Sequence, residues 1–142
     1  MFKMFQTAPS FGEPTREIIL NLSAVRCFSP SLTSQVGRTV IELTGRLQDD
    51  HGRVSRRSVA VEATAQDIAA MFGLHAVFQL HAWDARTGTE WDGRHFYLPL
   101  AQVRSVEPFG DTVYIEFVDG THDRVKLDDQ AKRFLDALAH SA

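Results

Sequence analysis

HFYLPLAQVRSVEPFGDTVYIEFVDGTHDRVKLDDQAKRFLDAL, residues His95–Leu138, is the stretch whose reading decides the fold. Thr112 to Val118 alternates: Val113, Ile115 and Phe117 share one face, and Tyr114, Glu116 and Val118 the other, the period of a half-buried strand. Asp119-Gly120 is a strong hairpin signal, and His122 to Leu127 supplies its partner strand. Asp128 or Asp129 then caps a helix whose apolar stripe is Ala131, Phe134, Leu135 and Leu138. Upstream, Gln102–Pro108 reads as another strand, turned by Phe109-Gly110-Asp111.

Working outward, Leu74–Ala85 reads as a strand, Arg86–Thr89 as a turn, and Glu90–Leu100 as the returning strand with an irregularity at Asp92-Gly93. The first half is read the same way. A short edge strand at Phe2–Gln6 leads through a Pro- and Gly-rich connection to a strand over Glu17–Phe28 and a loop over Ser29–Ser34. Val36–Leu47 and Arg53–Glu62 make a hairpin around Asp49-Asp50-His51-Gly52. Thr64 caps a two-turn helix carrying Ile68, Met71 and Phe72, which Gly73 stops.

The two halves resemble one another. At a shift of 78, Arg16–Pro30 lies on Arg94–Pro108 with identities at Arg16/Arg94, Leu20/Leu98, Leu22/Leu100, Val25/Val103, Arg26/Arg104 and Pro30/Pro108. Val40–Leu43 matches Tyr114–Phe117 at a shift of 74, and Val59–Phe72 follows the pattern of Val125–Leu138 at a shift of 66. Each half has one amphipathic helix and too few strands to close a core alone. The expectation is an α+β fold, mostly antiparallel, with two related meander-plus-helix halves, 1–73 and 74–142, packed as one domain.

Over about half the chain, Phe96-Tyr97-Leu98, Val106-Glu107-Pro108, Asp111-Thr112-Val113, Asp119-Gly120 and Val125-Lys126 resemble the small flagellar FlbD-type proteins. The strand order is also similar to the LytTR-type DNA-binding module, another β-rich unit with a terminal helix. Either resemblance implies a regulatory binding protein rather than an enzyme, and neither transfers a functional residue.

Composition narrows the classes further. A formal charge of −3 argues against a strongly basic nucleic-acid or membrane binder while leaving room for a local patch. Cys27 is the one cysteine, so no internal disulfide can form; within VRCF it reads as a buried hydrophobe in a reducing, cytoplasmic setting. Met1–Glu17 has one lysine and no long apolar run, so neither a secretory leader nor a membrane anchor is expected.

No phosphate loop, zinc-finger spacing or nucleophile elbow occurs, so no catalytic residue, metal ligand set or cofactor is expected. His75 and His81 share a strand face but lie about 20 Å apart, too far to chelate one ion. His81 and His95 can meet across their hairpin. Trp83 and Trp91 bracket a second turn and would either pair across the strands or offer a stacking platform. Arg46, Arg53, Arg56 and Arg57 against Asp49 and Asp50 leave the first-half hairpin locally at +2. Its arginines would grip phosphates or an acidic partner, or discourage edge pairing. The first reading is a non-enzymatic module acting through protein–protein contacts, including a homodimer through a sheet edge. Its rivals are nucleic-acid binding through the arginine hairpin, and a small-molecule site or enzyme cleft between the halves, lined by Trp83 and Trp91.

Overall fold

A computed structural model describes residues 1–8, 14–30, 37–45, 47–48, 50–52, 54–55, 57–73, 75–84 and 89–140; for 47–48, 54–55, 82–84 and 89–94 only the backbone is described. Residues 86–88 of the expected turn, residues 31–34 of the expected loop and the chain end at 141–142 lie outside the described residues.

The chain opens with β1 (Phe2–Gln6) and β2 (Glu17–Asn21), an antiparallel pair that places Met4 opposite Ile19. The single strand expected over Glu17–Phe28 is broken. A one-turn 3-10 helix, Leu22–Ala24, separates β2 from β3 (Val25–Pro30). The cause is local: the Asn21 side chain accepts the Ser23 N–H at 3.0 Å, a turn-type bond that competes with strand pairing. β3 also runs on through Ser29 and Pro30, where a loop was expected.

β4 (Thr39–Leu43) stops before Gly45, whose φ of +89° suits glycine. The chain continues into the short ribbon of β5 (Leu47–Gln48) and β6 (Val54–Ser55), then returns as β7 (Ser58–Val61) alongside β4. Helix α1 (Ala65–Phe72) begins as expected, with Thr64 Oγ1 accepting the Asp67 N–H at 3.1 Å, and ends at Gly73, φ +106°. The second half contains β8 (Val77–Asp84), β9 (Thr89–Pro99), a second 3-10 turn (Leu100–Gln102), β10 (Val103–Phe109), β11 (Thr112–Phe117), β12 (His122–Lys126) and α2 (Asp129–Ala139).

Among the described residues, eight strands form one antiparallel sheet in the order β10-β11-β12-β8-β9-β3-β4-β7, so strands of both halves share it. With two helices, the class is α+β and mostly antiparallel, as the sequence implies. Two apolar clusters follow from the alternation. One gathers Phe28, Ile41 and Val61 with Ile68 of α1, and the other Leu80, Val113, Ile115 and Phe117 with Phe134 of α2. Adjacent residues of β9 join them: Leu98 enters the second cluster, and Tyr97 stacks on Phe28 with ring centroids 5.2 Å apart.

The halves repeat the series strand, 3-10 turn, strand, strand, strand, helix. Each has a register break just after its 3-10 turn, between Val25 and Cys27 and between Val103 and Ser105. Beyond each break, Cys27 faces Glu42 and Ser105 faces Glu116. The matching arginines then pair with these glutamates, Arg26–Glu42 at 3.0 Å and Arg104–Glu116 at 3.3 Å.

Burial separates these two arginines. Arg104 is 61% exposed, whereas the Arg26 side chain is fully buried and reaches into the other half. There it pairs with Asp123 at 2.9 Å, donates from Nε to Thr121 Oγ1 at 2.8 Å, and lies 3.7 Å from the Phe117 ring centroid. Removing one partner from a buried pair strands the other charges, whereas an exposed pair is screened by water. Arg26→Met is therefore expected to cost about 3–5 kcal/mol. Arg104→Met should cost less than about 1 kcal/mol, both read from urea unfolding.

Candidate functional sites: a basic hairpin and an aromatic sheet face

The arginine-rich hairpin forms where the sequence places it. Leu47 pairs with Ser55 and Gln48 with Val54. It prolongs the β4–β7 ribbon past the Leu43 N–H to Arg57 carbonyl bond (2.9 Å), at the end opposite Thr39, which bonds the Ala63 carbonyl ahead of α1. Arg57 is exposed; Arg46, Arg53 and Arg56 lie outside the described residues.

The tryptophan hairpin is less regular than a simple Trp–Trp pair requires. Trp83 is opposite Glu90, not Trp91, and the register breaks before His81 meets His95. From His81 to Trp83 is two residues on β8, but the partners, Glu90 to His95, are five apart on β9, so β9 carries the irregularity expected near Asp92-Gly93. The side chains of Trp83 and Trp91 lie outside the described residues.

His81 and His95 do meet, with ring centroids 3.9 Å apart. The sequence reading missed the carboxylate beside them: Asp128 Oδ2 is 2.5 Å from His81 Nδ1, while Asp128 Oδ1 accepts the Ala131 N–H at 2.9 Å. One side chain thus caps α2 and ties it to β8. Among the described residues no group of three or more His, Cys, Asp or Glu is placed to hold a metal ion. Cys27 is buried as expected, but its thiol donates to Glu42 Oε2 at 3.2 Å. Burial, followed by the Glu42 charge, pushes that thiol far above the ordinary range, so it is not a poised nucleophile.

A second surface stands on the outer face of β10–β12. The Asp119 carboxylate accepts the N–H and hydroxyl of Thr121 (2.9 and 2.5 Å), and Gly120 takes φ +85°. The resulting turn sets Tyr114 opposite Arg124 and Glu116 opposite His122. On the other side Glu107 faces Tyr114. The row Glu107–Tyr114–Arg124 therefore crosses three strands on one face. Tyr114 stacks against His122 with centroids 5.0 Å apart, and the Arg124 guanidinium is 5.9 Å from the Tyr114 ring. Phe109, in the adjoining row, is 74% exposed. A groove of about 320 Å³ is lined by Glu107, Phe109, Thr112, Tyr114 and Arg124. The signal for this face was present in the sequence, since Tyr114 and Glu116 alternate outward, but its partners depend on the register of the turn.

The fold defines a class, an antiparallel β module with a helix ending each half. No protein-family model and no curated protein sequence matches the chain. Among solved structures, the chain is similar to a LytTr DNA-binding domain, from a Bacillus cereus protein described as a methyl-accepting/DNA response regulator. The TM-score is 0.55 at 12% identity, over 95% of this chain and 95% of that one. The likeness of fold thus includes the first half as well as the second. Among the described residues no helix is long and apolar enough to cross a membrane.

Partial burial alone would raise the Asp128 carboxyl, but the Ala131 N–H and His81 outweigh it and hold it below the usual carboxylate range. Asp119 is depressed likewise: its burial is outweighed by Thr121, the Gly45 N–H and Arg26. A depressed carboxyl stabilises the fold above its unfolded pKa, and that stability is lost as pH falls through the folded value. Stability should therefore drop as pH is lowered from about 5 towards 2. Asp128→Asn should flatten that drop in urea titrations at each pH; an unchanged drop would show that Asp128 does not contribute to it.

Proposed function

We propose that the chain is a non-enzymatic, cytoplasmic DNA-binding regulatory module, with the β5–β6 hairpin as its phosphate-contacting element and Arg46, Arg53, Arg56 and Arg57 as the gripping side chains. The observation that carries the reading is the fold likeness to a LytTr DNA-binding domain over 95% of both chains. The hairpin's local +2 on a chain of net −3 supports a focused basic contact rather than a diffuse one. An unpaired cysteine fits a reducing compartment. The repeated register breaks and Arg–Glu pairs support descent of the two halves from one duplicated unit, folded as a single domain.

Fluorescence anisotropy with a labelled duplex tests the reading. Each arginine–phosphate contact adds about 0.9 to the slope of log affinity against log salt, so four contacts give a slope near −3.6. Arg56→Ala/Arg57→Ala should lower that slope by about 2. No binding at low salt, or a double variant with the parent slope, would remove the proposal.

A second reading, homodimerisation, has its own support. Phe2, Met4 and Ile19 of the β1–β2 pair are 67%, 59% and 65% exposed, an unusual concentration of large apolar side chains on a small surface. The sheet's outer strands are poorer candidates. β10 carries Pro108, which lacks an N–H for edge pairing, and the end of β1 covers β7 through the Thr7–Val61 bridge. A dimer built on the apolar pair should dissociate in sedimentation experiments on Met4→Lys/Ile19→Lys, and a parent chain monomeric at all concentrations would exclude it.

A further inference from the structure

We infer that the groove on the outer face of β10–β12 binds a guanine-type base. The site goes beyond the DNA-binding reading and does not depend on it. Three features of the groove converge on this chemistry. Its walls are aromatic: Tyr114, stacked on His122 on one side, and the exposed Phe109 offer ring surface to a planar ligand, and bases stack readily on aromatic rings. Its ends carry opposite charge. Glu107 and Arg124 both flank Tyr114, on strands two apart, so their backbones stand about 10 Å from one another at the usual strand spacing. That is the scale of a bicyclic ring with its hydrogen bonds. Among the described residues neither forms an ion pair, and the Arg124 guanidinium lies 5.9 Å from the Tyr114 ring.

The polarity of the ends selects the base. An arginine fork matches the O6 and N7 acceptors of guanine, and a carboxylate matches its N–H donors on the opposite edge. In the same pose adenine keeps the N7 acceptor but replaces O6 with an amino donor and lacks the N1–H and N2–H donors, so it gives the arginine one bond instead of two and the carboxylate none. The deepest lining residue, Thr112, already donates its hydroxyl to the Phe109 carbonyl at 3.0 Å, so recognition falls to the two charged ends.

The fold itself does not require these residues. In the first half the row at the same place in the register is Ser29–Val40–Ala60, small or aliphatic throughout. The second half therefore carries an aromatic and two charges where its structural counterpart manages without them. A large exposed phenylalanine beside them has no packing role to explain it.

The test is titration of the full chain with GMP and with AMP, followed by backbone amide NMR shifts. Two oligonucleotide arms, single-stranded TTGT and TTAT, distinguish a free nucleotide from a base within a strand. Saturable shifts centred on residues 107–114 and 124 are expected with GMP, with AMP weaker by at least about tenfold. Tyr114→Ala and Arg124→Gln should each weaken GMP by about tenfold. Arg124→Gln is exposed and should leave the melting temperature unchanged, which separates lost recognition from lost folding. TTGT binding well above GMP would assign the site to a strand, with the same base chemistry. No shifts from any guanine probe, equal binding of GMP and AMP, or full affinity in the Arg124→Gln chain would overturn the inference.

Discussion

The structure depends on one buried cation. Arg26 projects from β3 into a region with no access to water, and its guanidinium is paired with groups drawn from both halves of the chain. Glu42 comes from the neighbouring strand, whereas Asp123, Thr121 and the Phe117 ring come from the second-half hairpin. Burial alone would depress the arginine, but Asp123, Cys27 and Glu42 more than compensate, so the charge is held firmly in place. A guanidinium so enclosed tolerates little rearrangement, because any shift of one hairpin leaves a charge unpaired in a low-dielectric site. The turn is tied in as well. The Thr121 hydroxyl donates a hydrogen bond to Asp119, whose other oxygen accepts the Gly45 N–H of the first half at 3.2 Å.

That network explains why a single sheet can carry both halves. Where the halves meet in the sheet, at β9 and β3, the register among the described residues is the single pair Phe28–Tyr97. Backbone pairing at this seam is brief. Side chains carry the rest, through the stacked rings of Phe72, Phe28 and Tyr97 on one side and the Arg26 cluster on the other. The second-half meander, held from its inner face, is free to present Tyr114, Arg124 and Glu107 outward without a structural duty.

Much of this was legible in residues that obey local rules. Thr64 and Asp128 cap helices because a side-chain oxygen three residues before a free N–H does so wherever it occurs. The alternation of Thr112–Phe117 placed Val113, Ile115 and Phe117 in the core. What escaped depended on contacts distant in sequence. Arg26 and Arg104 stand in the same local context, ahead of a glutamate on the next strand, and nothing in that context says that one is buried and the other exposed. The 3-10 turns hid in apolar runs that continue through them. The turn at Asp119-Gly120 includes Val118 as a third loop residue, which moves the pairing by one position from a two-residue turn. That step decides whether Tyr114 meets Arg124 or Val125. Of the four arginines and two tryptophans proposed from sequence, Arg57 is the one whose side chain is described, and it is exposed.

Native-state hydrogen exchange on Arg26→Met tests most directly whether this one side chain unites the halves. Amides of β4 around Ile41 and of β11–β12 around Ile115 and Val125 are fully buried and belong to different halves. If Arg26 is the tie, both sets should lose protection by similar factors, as one cooperative unit destabilised throughout. Loss confined to β3 and β4, with the second-half amides as protected as in the parent chain, would contradict the shared dependence on Arg26.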